Sequence, residues 1–181
     1  FTRGNANFNV NKIVSVIGTR NATNYGKELT IQLVQKLATL GVTVVSGLAY
    51  GIDIVAHKVA LESNTPTIAV LAHGLDMIYP YEHKKYINTM LENGAIVSEF
   101  FSNTLPDKHN FPRRNRIVAG LSDATIVVES AIKGGALITA RLAHSYNREV
   151  MAFPGDVNNK FSKGCHHLIQ KNMAALVENA D

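Results

Sequence analysis

Short β-branched apolar runs alternate with amphipathic stretches along this chain, and that alternation constrains the fold more than any other feature. Lys12–Gly18, Val42–Val45, Thr67–Leu71, Ala95–Ser98, Ala124–Glu129 and Glu149–Phe153 are nearly all apolar and bounded by Gly, Pro or polar residues. Such runs read as strands buried on both faces. Between them lie predicted helices at Tyr25–Leu40, Asp53–Ser63, Glu82–Glu92, Arg113–Leu121 and Ala136–Tyr146. The first sets Leu29, Leu33, Leu37 and Leu40 on one face and stops at Gly41. Strand-then-helix repetition with short connections implies right-handed crossovers and a mostly parallel sheet covered on both faces. The expectation is a doubly wound α/β domain, an extended Rossmann fold, with Phe1–Val10 supplying an edge strand or a loop.

In such a sheet, ligands bind beyond the carboxyl ends of the strands. The segments there are Gly18-Thr19-Arg20-Asn21, Ser46–Asp53, Ala72–Asp76 and Lys133–Ala140, each containing glycine. Glycine turns and helix N-termini let backbone N–H groups approach an anion with no Cβ in the way, so four such loops outline a phosphate-binding face. Asp53 is expected to cap the helix that follows it.

The net charge of +4 matters through its location. Lys108–Arg116, KHNFPRRNR, holds four positive charges and no acid, and the remainder of the chain sums to zero. A basic cluster of this kind is an electrostatic footprint for a polyanion. Arg20, Lys108, Arg114 and Arg116 are the candidate phosphate-facing cations, and Phe111 is a candidate stacking platform. Asn115, Lys133, Gly18, Gly134 and Gly135 complete the candidate polyanion-binding set. Structural alternatives stand beside these readings. Phe111 can anchor the loop, Arg114 or Arg116 can pair with Asp123 or Glu129, Asn115 can bond the loop backbone, and Lys133 can be a solvated turn residue.

Other chemistries lack their residues. The dinucleotide fingerprint does not follow Gly18, and a Walker A loop and a nucleophile elbow are missing. Cys165-His166-His167 has no second Cys or spaced His pair to complete a tetrahedral metal site. No catalytic residue, metal or cofactor is expected. At 181 residues with 46% hydrophobic and 18% charged, a single domain over 1–181 has enough apolar material for a core. No apolar run approaches a membrane span and no export signal is visible. The single cysteine suits a reducing compartment, so a cytoplasmic protein is expected. The first residue is Phe rather than Met, as in an excised domain.

The glycine loops and the basic run together resemble the DNA-processing protein A family (DprA, Smf). The matching series is Ile17–Arg20 with Tyr25-Gly26, Ser46–Asp53 with Ala56-His57, Gly74-Leu75-Asp76 with Tyr79-Pro80, and Ser98-Glu99. It continues through Phe111–Ile117, Gly135–Ala140 and Pro154-Gly155. Ala72, Gly134, His166 and Asn172 depart from the family pattern. The resemblance implies an ATP-independent bacterial protein that binds single-stranded DNA, helps load the RecA recombinase during natural transformation, and forms a homodimer. It also implies that this chain is the core alone, without the family's flanking domains. The rival readings are a phosphoribohydrolase-like nucleotide enzyme and a module binding a small nucleotide. Aligned on Gly134-Gly135, the enzyme pattern needs a glutamate where this chain has Arg141, of opposite charge.

Overall fold

The computed structural model describes residues 1–9 and 12–179. Its eight strands are β1 (Thr2–Gly4), β2 (Ile13–Ile17), β3 (Thr43–Ser46), β4 (Thr67–Leu71), β5 (Gly94–Ser98), β6 (Ala124–Val127), β7 (Glu149–Ala152) and β8 (Ala175–Leu176). They form one sheet in the order β1-β5-β4-β3-β2-β6-β7-β8. All neighbours run parallel except β1, which pairs antiparallel with β5 through Thr2 and Val97. The helices are α1 (Asn24–Thr39), α2 (Ile52–Glu62), α3 (Ile87–Glu92), α4 (Asn110–Leu121), α5 (Gly135–Ser145) and α6 (Lys163–Gln170). This is the doubly wound fold the periodicity predicts, with the start of Phe1–Val10 as an edge strand and Val10 outside the described residues.

The pleat divides the core. Val16 and Val44 face α1 and α2, where Leu33, Val34, Leu37, Ile52 and Ala56 pack on them. Ile13, Ile17 and Val45 face the opposite side, against Val118, Leu137, Ala140 and Leu168 of α4, α5 and α6. Two-sided burial is why these strands carry little polar-apolar alternation.

Local chemistry sets the ends. Thr23 caps α1 by accepting from the Gly26 N–H at 3.1 Å. Gly41, at φ +65°, carries the chain out of that helix. Leu40 lies past the helix end and is exposed, so it leaves the apolar face assigned to it. The helix expected over Glu82–Glu92 is two pieces, a 3₁₀ segment at Tyr81–Tyr86 followed by α3. The tighter turn lets His83 Nδ1 reach the Leu48 carbonyl at 2.8 Å, fastening the segment to the loop after β3. Helix α6 and strand β8 lie in a stretch that the periodicity left unassigned.

Candidate nucleic-acid interface

The strand order reverses at β2, which has β3 on one side and β6 on the other. Beyond the carboxyl ends of these strands is a cavity of about 300 Å³. Its walls include Gly18, Arg20, Phe111, Asn115, Gly134 and Gly135, with Gly47, Asp53 and Arg114 deeper inside. A crevice at the switch point is where a doubly wound sheet presents a ligand.

Backbone bonds tie the walls together. The Thr19 N–H donates to the Glu129 carbonyl at 2.7 Å, and the Thr19 carbonyl accepts from the Ile52 N–H at 3.2 Å. Gly51 makes this close approach possible. It has φ +77°, and a Cβ there would lie 2.1 Å from the Thr19 oxygen. Arg20 is thereby held at the mouth, exposed, with its guanidinium 5.0 Å from the centre of the Phe111 ring. Phe111 is half-buried in the first turn of α4, where Pro112 sacrifices no helix hydrogen bond. The Tyr79 ring is 6.2 Å from that of Phe111. Opposite stands the N-terminus of α5, whose N-cap Gly134 makes no side-chain capping bond.

Arg114 does not act as a surface cation. It is 4% exposed and donates to the Gly47 and Val70 carbonyls, while its Nε donates to Asn115 Oδ1 at 3.1 Å. Neither Asp123 nor Glu129 is its partner. Its counter-charge is Asp53, and the two groups flank the Gly47 α-carbon, where a Cβ would be 2.6 Å from Arg114 Nη2 and 2.7 Å from Asp53 Oδ2. Burial pushes the Arg114 guanidinium down to about 10, against the pull of Asp53. Burial likewise raises the Asp53 carboxyl, although Arg114 and the Ala49 and Gly47 N–H groups favour its charged form. Asp53 is not the N-cap of α2, a position held by Gly51. Its carboxylate instead turns back to accept from Gly47 N–H at 3.1 Å, closing the loop after β3.

Arg116 is roughly half exposed and pairs with Glu99 at 2.5 Å, again neither Asp123 nor Glu129. Asn115 spans both readings, since its Nδ2 donates to the Gly135 carbonyl at 3.5 Å while the residue lines the cavity. Lys108 and Lys133 are exposed and sit outside the lining. The loop after β4, counted with the glycine face, also falls outside it. Gly74 packs beneath Phe101 and Ser102, and Asp76 accepts from the Asn103 N–H at 3.0 Å. Three glycine loops therefore frame the cavity. Thr19, Asn21, Ser130 and Thr139 also line it without having been singled out; their signal was adjacency to the glycines and to the end of β6.

Cys165 and His166 diverge. The thiol is buried and pushed up to about 12 by burial, whereas His166 Nε2 lies 3.1 Å from the Gly155 carbonyl. Among the described residues no group of His, Cys, Asp or Glu is arranged to hold a metal, and no helix is long and apolar enough to cross a membrane.

The family model for DNA recombination-mediator protein A matches residues 1–181. The chain belongs to the DNA recombination-mediator protein A family. It is 46% identical over 166 residues to Protein Smf of Escherichia coli K12, covering 91% of this chain and 44% of that protein. Superposed on the X-ray structure of DNA processing protein A from Streptococcus pneumoniae, it gives a TM-score of 0.93 at 38% identity, over 99% of this chain and 63% of that one. DNA processing protein A from Helicobacter pylori, a structure described for its single-stranded DNA binding mode, gives 0.91 at 36% identity, over 99% and 81%. The chain spans about half the length of the curated relatives it matches.

Proposed function

We propose that this chain binds single-stranded DNA in the switch-point cavity, as the core of a recombination mediator that passes the strand to RecA during natural transformation. The observation carrying this reading is the convergence of Arg20, Phe111, Asn115, Gly18, Gly134 and Gly135 on one cavity from three separate stretches of sequence. That set offers what a sequence-tolerant strand needs: a cation for the phosphate, a ring for a base and glycine backbone for close approach. The α4 N-terminus adds to it. No acidic residue stands in its first turn, and Arg113 follows immediately. Cations at the positive end of a helix dipole are unfavourable unless an anion joins them. Lys108 and Lys133 act as exposed phosphate contacts at the rim, Arg116 as a weaker one because Glu99 competes for it, and Arg114 through the shape of the cavity.

The same geometry argues for binding without turnover. Glu129, the carboxylate nearest the end of β6, is 1% exposed and accepts from Thr23 N–H at 2.9 Å and Thr23 Oγ1 at 2.6 Å. Asp53 is spoken for by Arg114 and backbone amides. Neither is positioned as a general base, and Arg141 is exposed outside the cavity lining. The protein works as a homodimer in the bacterial cytoplasm, which analytical ultracentrifugation and co-sedimentation with RecA test directly.

Fluorescence anisotropy with labelled dT oligomers and the matching duplex, repeated across salt concentrations, tests the core of the proposal. With Arg20, Lys108 and Lys133 as the phosphate contacts, the log–log salt slope for single strands is expected near −2, at ~0.7 per contact. Duplex should bind more weakly at every salt. Equal or tighter duplex binding, or an unchanged slope in Arg20→Ala, overturns this assignment.

A further inference from the structure

The cavity is small, at the lower end of the range for ligand pockets, so a strand longer than a few nucleotides must leave it and cross the surface. Beside Phe111, just outside the cavity lining, stand exposed aromatic rings. Tyr79 is 46% exposed beside Phe111, and Tyr81, two residues on, is 72% exposed. Rings this open contribute little to a core; in a soluble protein a line of them marks a contact surface.

The base beneath them is firm. The 3₁₀ segment Tyr81–Tyr86 is anchored by His83 to the Leu48 carbonyl at 2.8 Å. It is anchored again by the Tyr50 hydroxyl, which donates to Glu82 Oε2 at 2.8 Å, and the Tyr50 ring meets His83 edge-on at 5.1 Å. Pro80 between the two tyrosines is buried. Charge accompanies the rings: Lys84 Nζ lies 5.5 Å from the Tyr81 ring centre, and Lys85 is exposed next to it. Glu82 is the opposing charge on this segment, and its carboxylate is engaged by Tyr50.

We propose that Tyr79 and Tyr81 extend the single-strand site, stacking successive bases of the strand leaving Phe111, with Lys84 facing its phosphates. This rests on the cavity reading above and adds a direction to it: the strand runs from the β2–β6 switch point across the ends of β3 and β4. The rings act without base specificity, because every base offers a π-face.

The experiment measures anisotropy with short dT (about 4 nucleotides) and long dT (about 16 nucleotides) for the unaltered protein, Tyr81→Ala, Tyr79→Ala/Tyr81→Ala, Tyr79→Phe/Tyr81→Phe and Arg20→Ala. The unaltered protein should bind long dT more tightly than its larger number of overlapping sites explains. Each alanine should cost about tenfold on long dT and nothing on short dT, and the phenylalanine pair should bind like the unaltered protein. Tyr81→Ala keeps the test sound if the double variant folds poorly, since Tyr81 is largely solvent-exposed. Long-dT affinity unchanged in Tyr81→Ala and in the folded double variant overturns the track and assigns the rings to some other partner. Short-dT affinity unchanged in Arg20→Ala overturns the cavity reading instead, so the two failures are told apart.

Discussion

Replacing Arg114 with alanine will damage the fold before it damages DNA binding directly. The side chain is 4% exposed and supplies donors to the Gly47 and Val70 carbonyls and a counter-charge to buried Asp53. Removing one partner of a buried charged pair costs ~3–5 kcal/mol, because the other charge stays behind without compensation. Two carbonyls left without their donor are part of that figure. For a chain of this size each kcal/mol moves the melting temperature by roughly 2–4 °C, so Arg114→Ala should melt about 6–20 °C lower. Lysine should rescue little, since a single ammonium cannot reproduce the planar fork that serves two carbonyls. Differential scanning fluorimetry and urea unfolding of Arg114→Ala, Asp53→Asn and the double variant provide the check. The double should lose less than the sum of the singles, because Asn at 53 removes the orphaned charge. A variant that melts within 2 °C of the unaltered protein (~1 kcal/mol or less) and still loses dT affinity would refute the reasoning and make Arg114 a DNA contact.

Stability should fall as pH drops below neutrality, partly through His57. Its Nδ1 bonds Thr67 Oγ1 at 2.8 Å, that hydroxyl donates to Val44 O at 3.0 Å, and Nε2 is buried with no partner among the described residues. Burial lowers its pKa from 6.5 to about 3, so between those values the unfolded chain binds the extra proton. The cost is absent above the unfolded value and reaches ~2 kcal/mol near pH 5, so urea unfolding of His57→Asn should show a shallower loss from pH 7 to 5. Gly51→Ala should destabilise by ~1–3 kcal/mol and weaken dT binding together, because a Cβ there displaces the Thr19–Arg20 loop; normal melting with normal binding would contradict this. Arg116→Ala should shift melting only slightly, as a half-exposed pair with Glu99 is worth ~0–1 kcal/mol, which calorimetry can bound. Phe111→Ala should reduce dT affinity while leaving the salt slope unchanged, since no cation is lost.

The central strands were legible because two-sided burial writes itself as unbroken β-branched runs, as in Thr67–Leu71, whose bounds coincide with β4. Helix α6 was not, since eight residues around Cys165 and Leu168 are too short for a clear period. Three loops of the site were visible as glycine clusters after strands, yet the fourth, around Gly74, looked the same in sequence. Its exclusion depends on the Phe101–Thr104 segment folding over it, a contact that no local pattern encodes. Arg114 was legible in principle. It stands four residues before Val118 and seven before Leu121, on the apolar face of α4, whereas Arg116 does not share that spacing. Its partners are the Gly47 and Val70 carbonyls, far away in sequence, so no local pattern names them.

The cavity walls are fastened to one another rather than to solvent. The loop after β2 is bonded to Glu129 at the end of β6 and to the start of α2, and the loop after β3 is bonded to Arg114 of α4. Asn115 reaches the start of α5. On the proposed reading, a strand entering this site would meet groups already in place, so little of its binding energy would go into ordering the protein. The same arrangement divides the basic run by function. Arg114 is buried in the frame that sets the distance between walls, while Lys108 in the same run stays exposed, where release of counterions would make its proposed phosphate contact depend on salt. Substituting the frame therefore alters stability first, and substituting the exposed cations alters the salt slope first. Measuring both quantities on the same variants separates the two roles within a single stretch of nine residues.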